Sequence, residues 1–268
     1  MTAVPSSARE LFELELLGGA VERQYRKRRP HGGAMPWGTL DLSAFSTEEI
    51  IAARRGWTDL ALQEYGAAAS QANVLRLLVR ARVPLDLSAL LASFPLDELS
   101  HTELCARMAE ELGGATPLEY PTEQVFPDPT AEAGSPLVCA AKAVAWEFCV
   151  GETLSLGQLK DHHAHAEAPL LEAVWGRLAK DEAAHARFGW LFMKWARPLL
   201  TTEERDAVVA TARRAVRHVG DLETKARSLP EEAFVPIGVF GSRGRERYLA
   251  QMRSVLEEKV VRRLALLA

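Results

Sequence analysis

The chain has 268 residues, 48% of them apolar and 25% charged, with a formal net charge of −4. This is ordinary globular composition, long enough to enclose a polar site, and its mild acidity gives no general pull toward nucleic acid. Three cysteines without a CxxC pair argue against a disulfide framework or zinc ribbon. No apolar run approaches the ~18 residues of a membrane span, and the acid-bearing N-terminus is not a signal peptide, so a cytoplasmic protein is expected.

Helical patterns fill most of the chain. Residues 7–29 read as one or two short helices broken near Gly18-Gly19, ending in the basic run ERQYRKRR, a solvated helix end. Residues 30–45 read as loop. Ser46 with Glu49 forms a capping box that opens a long helix running to Val83-Pro84. A turn at 88–93 is expected next, because Pro95 suits a first helical position better than an interior one. The second core helix then covers Leu96 to Leu112 and stops at Gly113-Gly114.

Residues 115–135, with four prolines and no period, form a long crossover. A third core helix starts at Ser135-Pro136 and runs toward His165. A fourth runs from Pro169 to Trp195 or Ala196. Thr201 with Glu204 caps a further helix that ends by Pro230, and a last helix spans about 243–266. No strand pattern is evident. The expected architecture is all-α: one domain, 1–268, whose core, 46–196, is a four-helix bundle of two hairpins joined by one long crossover. An N-terminal extension, 1–45, and C-terminal helices, 197–268, complete it.

Two phrases repeat within this frame. LDELSH places Asp97-Glu98 before His101, and KDEAAH places Asp181-Glu182 before His185. Residues i and i+3 share a helix face, so each Glu-x-x-His aims two donor groups the same way. Each hairpin also carries an upstream acid: Glu64 lies 34 residues before Glu98, and Glu147 lies 35 before Glu182. In an antiparallel hairpin such residues sit at one level, so Glu64, Glu98, His101, Glu147, Glu182 and His185 should converge inside the bundle. Four carboxylates buried together repel one another and lose hydration unless cations accompany them. Two metal ions remove that objection. The pattern of two single Glu and two Glu-x-x-His is that of di-iron or di-manganese carboxylate sites.

The helix 3 ligand has two candidates. The repeat offset between the hairpins, 83 to 84 residues, selects Glu147. Glu152, five residues on, returns to the same face only across a π-bulge, and is an additional candidate. Asp97 and Asp181 are candidate outer acceptors for the ring N–H of the opposite histidine.

The sequence resembles the ferritin-like superfamily of di-iron carboxylate proteins over about residues 46–196. DEAAHARFGW is close to the phrase that small bacterial ferritin-like proteins carry on their fourth core helix. The resemblance implies two Fe ions, with Mn or mixed Mn/Fe allowed. Glu64 and Glu147 would be the single-helix carboxylates, Glu98 and Glu182 bridging or terminal ones, and His101 and His185 one on each metal. It implies a non-haem O₂-activating oxidase or oxygenase with a small organic substrate and an electron donor as partners. A homodimer is allowed, and neither nucleic acid nor a membrane is expected. The alternative is a ferroxidase or iron-handling protein; a metal-free structural helical protein is a third class. Rubrerythrin-type peroxidases need a CxxC iron module, which is absent.

Cys105 lies one turn after His101, where the radical subunit of ribonucleotide reductase places its tyrosine, which argues against a stored tyrosyl radical. The HHAH run at 162–165 reads as solvated, and Tyr65, Trp146, Trp190 and Trp195 as core. The crossover and residues 228–242 are candidate walls for a substrate pocket.

Overall fold

A computed structural model describes residues 9–28, 35–122, 134–228 and 244–265. The described residues are almost entirely helical, with α1 at Gly19–Arg28, α2 at Thr47–Arg80 and α3 at Leu85–Glu111. The Ser46 hydroxyl accepts from Glu49 N–H while the Glu49 carboxylate accepts from Ser46 N–H, so two otherwise orphaned donors open α2. Arg82 in the left-handed region (φ 54°) reverses the chain, and Pro84 starts α3. The expected turn at 88–93 does not form: α3 runs unbroken through Pro95. Interior proline costs a helix ~3 kcal/mol, but Leu91 and Phe94 beside it are fully buried, and together their burial offsets that cost.

After the crossover come α4 (Pro136–Val144), a π-helical segment (Ala145–Glu152), α5 (Thr153–Ala164) and α6 (Pro169–Ala196). Ser135 and Pro136 start α4, and Pro169 occupies the first turn of α6. α2 packs along α3, the α4–π–α5 run folds back on α6, and the hairpins meet through α2 against α4 and α3 against α6. Then α7 (Thr202–Ser228) packs on the π segment and α4. The last run comprises α8 (Gly244–Val255), a π turn (Leu256–Val261) and α9 (Arg262–Leu264), with α8 lying on α5.

The N-terminal segment departs from expectation. Arg9–Leu11 is a short strand, β1, paired antiparallel with β2 (Glu119–Pro121), and helix begins only at Gly19. Residues 123–133 of the crossover and 229–243, candidates for pocket walls, lie outside the described residues. No helix among the described residues is long and apolar enough to cross a membrane.

The core has two apolar clusters. One gathers Val74, Phe94, Phe148 and Phe188; the other Trp57, Leu104, Met108 and Trp175. α2, α3, the α4–π–α5 run and α6 each pass from one cluster to the other. In each run buried polar residues stand at or beside the gap: Glu64 and Gln71, Glu98 and His101, Glu152, Glu182 and His185.

Candidate metal centre

Those gap residues form two overlapping donor groups. Glu64, Glu98, His101 and Glu182 make one, and Glu98, Glu152, Glu182 and His185 the other, with ligand atoms within 4.8 Å of one another in each. Glu98 and Glu182 belong to both. The two oxygens of each shared carboxylate divide between the histidines. Glu98 Oε2 lies 3.3 Å from His101 Nδ1 and its Oε1 3.0 Å from His185 Nδ1. Glu182 Oε1 lies 3.2 Å from His101 Nδ1 and its Oε2 3.1 Å from His185 Nδ1. Glu64 Oε2 stands 3.6 Å from His101 Nδ1.

The far ring nitrogens are held by a crossed pair of aspartates. His101 Nε2 lies 3.3 Å from Asp181, on the other hairpin, and His185 Nε2 lies 3.3 Å from Asp97. An Nε2–H donated to aspartate leaves the Nδ1 lone pair facing the carboxylates, which is the tautomer a ligand needs. Asp181 also accepts from Arg177 at 2.6 Å. Phe94 packs on the His185 ring, with centroids 4.1 Å apart.

The helix 3 acid is where sequence and structure differ. Glu152, and not the favoured Glu147, joins the convergent group. The cause is the π segment, whose wider winding adds a residue to the turn and carries Glu152 to the face a regular helix would give to another position. Gly189 on α6 permits the close approach: a Cβ there would sit 2.8 Å from Phe148 Cβ and 2.9 Å from Cys149 N. Glu147 instead lines an adjoining cavity, hydrogen-bonded to Ser70.

Gln71 was not foreseen. It is fully buried, and its amide donates to Glu98 at 2.5 Å and to Glu152 at 2.7 Å. It lies seven residues after Glu64, two turns along the same helix face, and that spacing was its only signal.

Without a bound ion, protons would offset part of the charge in the cluster. Burial opposes charge on His101, but Asp181, Glu182, Glu64 and Glu98 around it hold its pKa well above the usual imidazole value. His185, against the same burial, is pushed up to about 12 by Asp97, Glu182 and Glu98. Both histidines pull Glu98 and Glu182 down, against burial. Burial pushes Glu64 up to about 8 and Glu152 well above the carboxylate range. Three polar atoms of the cluster, Gln71 Oε1, Glu182 Oε2 and His185 Nδ1, make no hydrogen bond. The last two are only 3.1 Å apart yet poorly aligned for a hydrogen bond. Buried anionic oxygens with two imidazole nitrogens are a donor set that could hold a metal ion.

The cavity beside the cluster has a volume of about 590 Å³, and Glu64, Glu98, Glu152 and Glu182 line it, whereas neither histidine does. Of the HHAH run, His163 is exposed and His165 engages Asp161 and Arg247, but His162 stacks on Trp175 and lines the cavity rather than being solvated. Tyr65 and Trp146, expected in the core, are 38% and 39% exposed. Trp190 and Trp195 pack against the first apolar cluster. Cys105, Cys139 and Cys149 are buried free thiols. Burial and the nearby Glu64 charge raise the Cys105 pKa, keeping it protonated. No protein-family model matches the chain, and neither a curated protein nor a solved structure matches it.

Proposed function

We propose that this is a ferritin-like protein with a dinuclear metal centre, iron or manganese, that uses O₂ to oxidise a small organic molecule held in the adjoining cavity. The observation that carries the reading is the sharing of Glu98 and Glu182, each with one oxygen toward each histidine. A carboxylate so divided is placed to bridge two ions. Glu64 and His101 would complete one coordination sphere, Glu152 and His185 the other. Four carboxylates and two neutral imidazoles balance two divalent charges, and oxygen and imidazole donors suit Fe and Mn. Such a pair, when bound, supplies the electrons that O₂ chemistry requires.

The protein's own groups have separable tasks. Asp97 and Asp181 fix the ring orientations and keep the Nδ1 lone pairs inward. Gln71 holds Glu98 and Glu152 in register with its two N–H bonds. Phe94, Phe148 and Phe188 pack in mutual contact and keep water from the His185 side. The cavity side, lined by carboxylates, is where a guest would approach. Its volume lies in the range of small-molecule pockets, which favours an organic substrate over iron handling.

Metal analysis of the protein as isolated, followed by oxygen-electrode measurements, tests this. The expected result is about two ions per chain and one round of iron oxidation that stops without a reductant and a substrate. Continued oxidation of added ferrous iron, retained in large excess of two per chain, would replace this reading with iron storage. A metal-free protein that refuses iron and manganese would overturn both.

A further inference from the structure

The cavity carries information about what it admits. The charged groups among its described lining residues are acids, together with His162; there is no Lys or Arg. Four of the acids, Glu64, Glu98, Glu152 and Glu182, belong to the donor cluster, where bound ions would balance them. Two acids remain. Asp59 is partly buried, with Arg55 as its nearby charge, and Glu147 has the Ser70 hydroxyl as its hydrogen-bond partner and no cation. Around them stand Trp146, Trp175 and Tyr248, the last from α8.

A carboxylate withdrawn from water beside apolar walls is costly unless a cation or several donors meet it. Aromatic faces attract cations and suit an apolar stem equally well. An anionic guest would meet Glu147, on which no cation among the described residues acts.

We infer that the cavity takes a small organic cation, a protonated amine or amidine on an apolar or aromatic stem, with its head on Glu147 and its stem against Trp146 and Tyr248. This rests on the proposed function for the chemistry but not for the binding. The selectivity comes from the lining alone.

The probe set is phenethylammonium with its uncharged and anionic counterparts, phenethyl alcohol and 3-phenylpropionate. Each is titrated against the full-length protein, manganese-loaded and metal-free, with tryptophan fluorescence as the readout, since Trp146 and Trp175 line the site. The cation should bind at least roughly tenfold more tightly than either counterpart, as expected for a charge-assisted contact. Glu147→Gln, which keeps side-chain size, should remove most of that preference, and Asp59→Asn should reduce it less. Circular dichroism checks that both variants fold. Equal or tighter binding of the anion would overturn the inference, as would an unchanged preference in Glu147→Gln. Cation-selective binding by a protein that takes up no manganese would overturn the dinuclear reading and leave this one standing. Normal metal uptake without cation preference would do the reverse.

Discussion

The crossed aspartates, each expected from the sequence to serve the opposite histidine, make a prediction that tests the ring geometry. Asp181 stands beside Glu182 in the chain but holds His101, and Asp97 stands beside Glu98 but holds His185. Asp→Asn keeps the shape and one acceptor oxygen and removes the charge that orients the imidazole and raises its basicity. Loss of such an outer partner costs 10–100-fold in metal affinity, about 1.4–2.7 kcal/mol. The decisive assay is manganese titration by calorimetry in backgrounds that keep one half of the site. With His101→Ala, the remaining half depends on His185, so Asp97→Asn should weaken it by the full amount and Asp181→Asn by far less. With His185→Ala the order reverses. The histidine rings are 6.2 Å apart and share two carboxylates, so some cross-coupling persists. If each aspartate affects the half that contains its own motif's histidine as much as the opposite half, the argument from ring geometry is wrong.

Glu152→Ala should lower manganese stoichiometry in a plasma-emission assay, while Glu147→Ala should leave it unchanged; the opposite order would return the third-helix ligand to Glu147. Metal-free protein should lose thermal stability as pH rises. His101, His185 and Glu64 all bind protons more tightly folded than unfolded: the Glu64 contribution is full below about pH 4.5 and lost by about pH 8, while those of the histidines are full below about pH 6.5 and are lost as pH climbs on toward about 12. Melting with and without chelator tests this, since bound metal should flatten that slope. Phe94→Ala removes a fully buried ring packed on His185, Phe148 and Phe188, and should cost about 3–5 kcal/mol in urea unfolding. Gly189→Ala forces a Cβ against the π segment and should cost about 1–3 kcal/mol; it should also weaken metal binding, because Glu152 rides on that backbone.

The convergence of Glu64, Glu98, His101, Glu182 and His185 was legible because each sits on a regular helix, where fixed spacing means a fixed face. Glu152 was ranked second because counting residues assumes 3.6 per turn, and the π segment breaks that assumption for eight residues. The wider turn packs closely against Gly189, far along the chain, which no local pattern reports. Gln71 was invisible for a different reason: one amide in a run of small and apolar residues has no partner until the fold brings Glu98 and Glu152 to it. Pro95 misled because helix propensity is local whereas the burial that overrides it is not. The β1–β2 ladder pairs residues about 110 apart through three-residue strands, too short to alternate visibly.

The donor cluster has a front and a back. Both imidazoles lie at the back, fully buried, each pinned at its far nitrogen by an aspartate from the opposite hairpin. The front is all carboxylate: the four glutamates reach the cavity on side chains with more rotatable bonds than an imidazole has. The centre is therefore stiff where it joins the scaffold and compliant where it meets a visitor. If a guest were accommodated there, the give would fall to Glu64 and Glu182, because Gln71 ties Glu98 and Glu152. The histidines keep the distance between the two halves of the site constant while that happens.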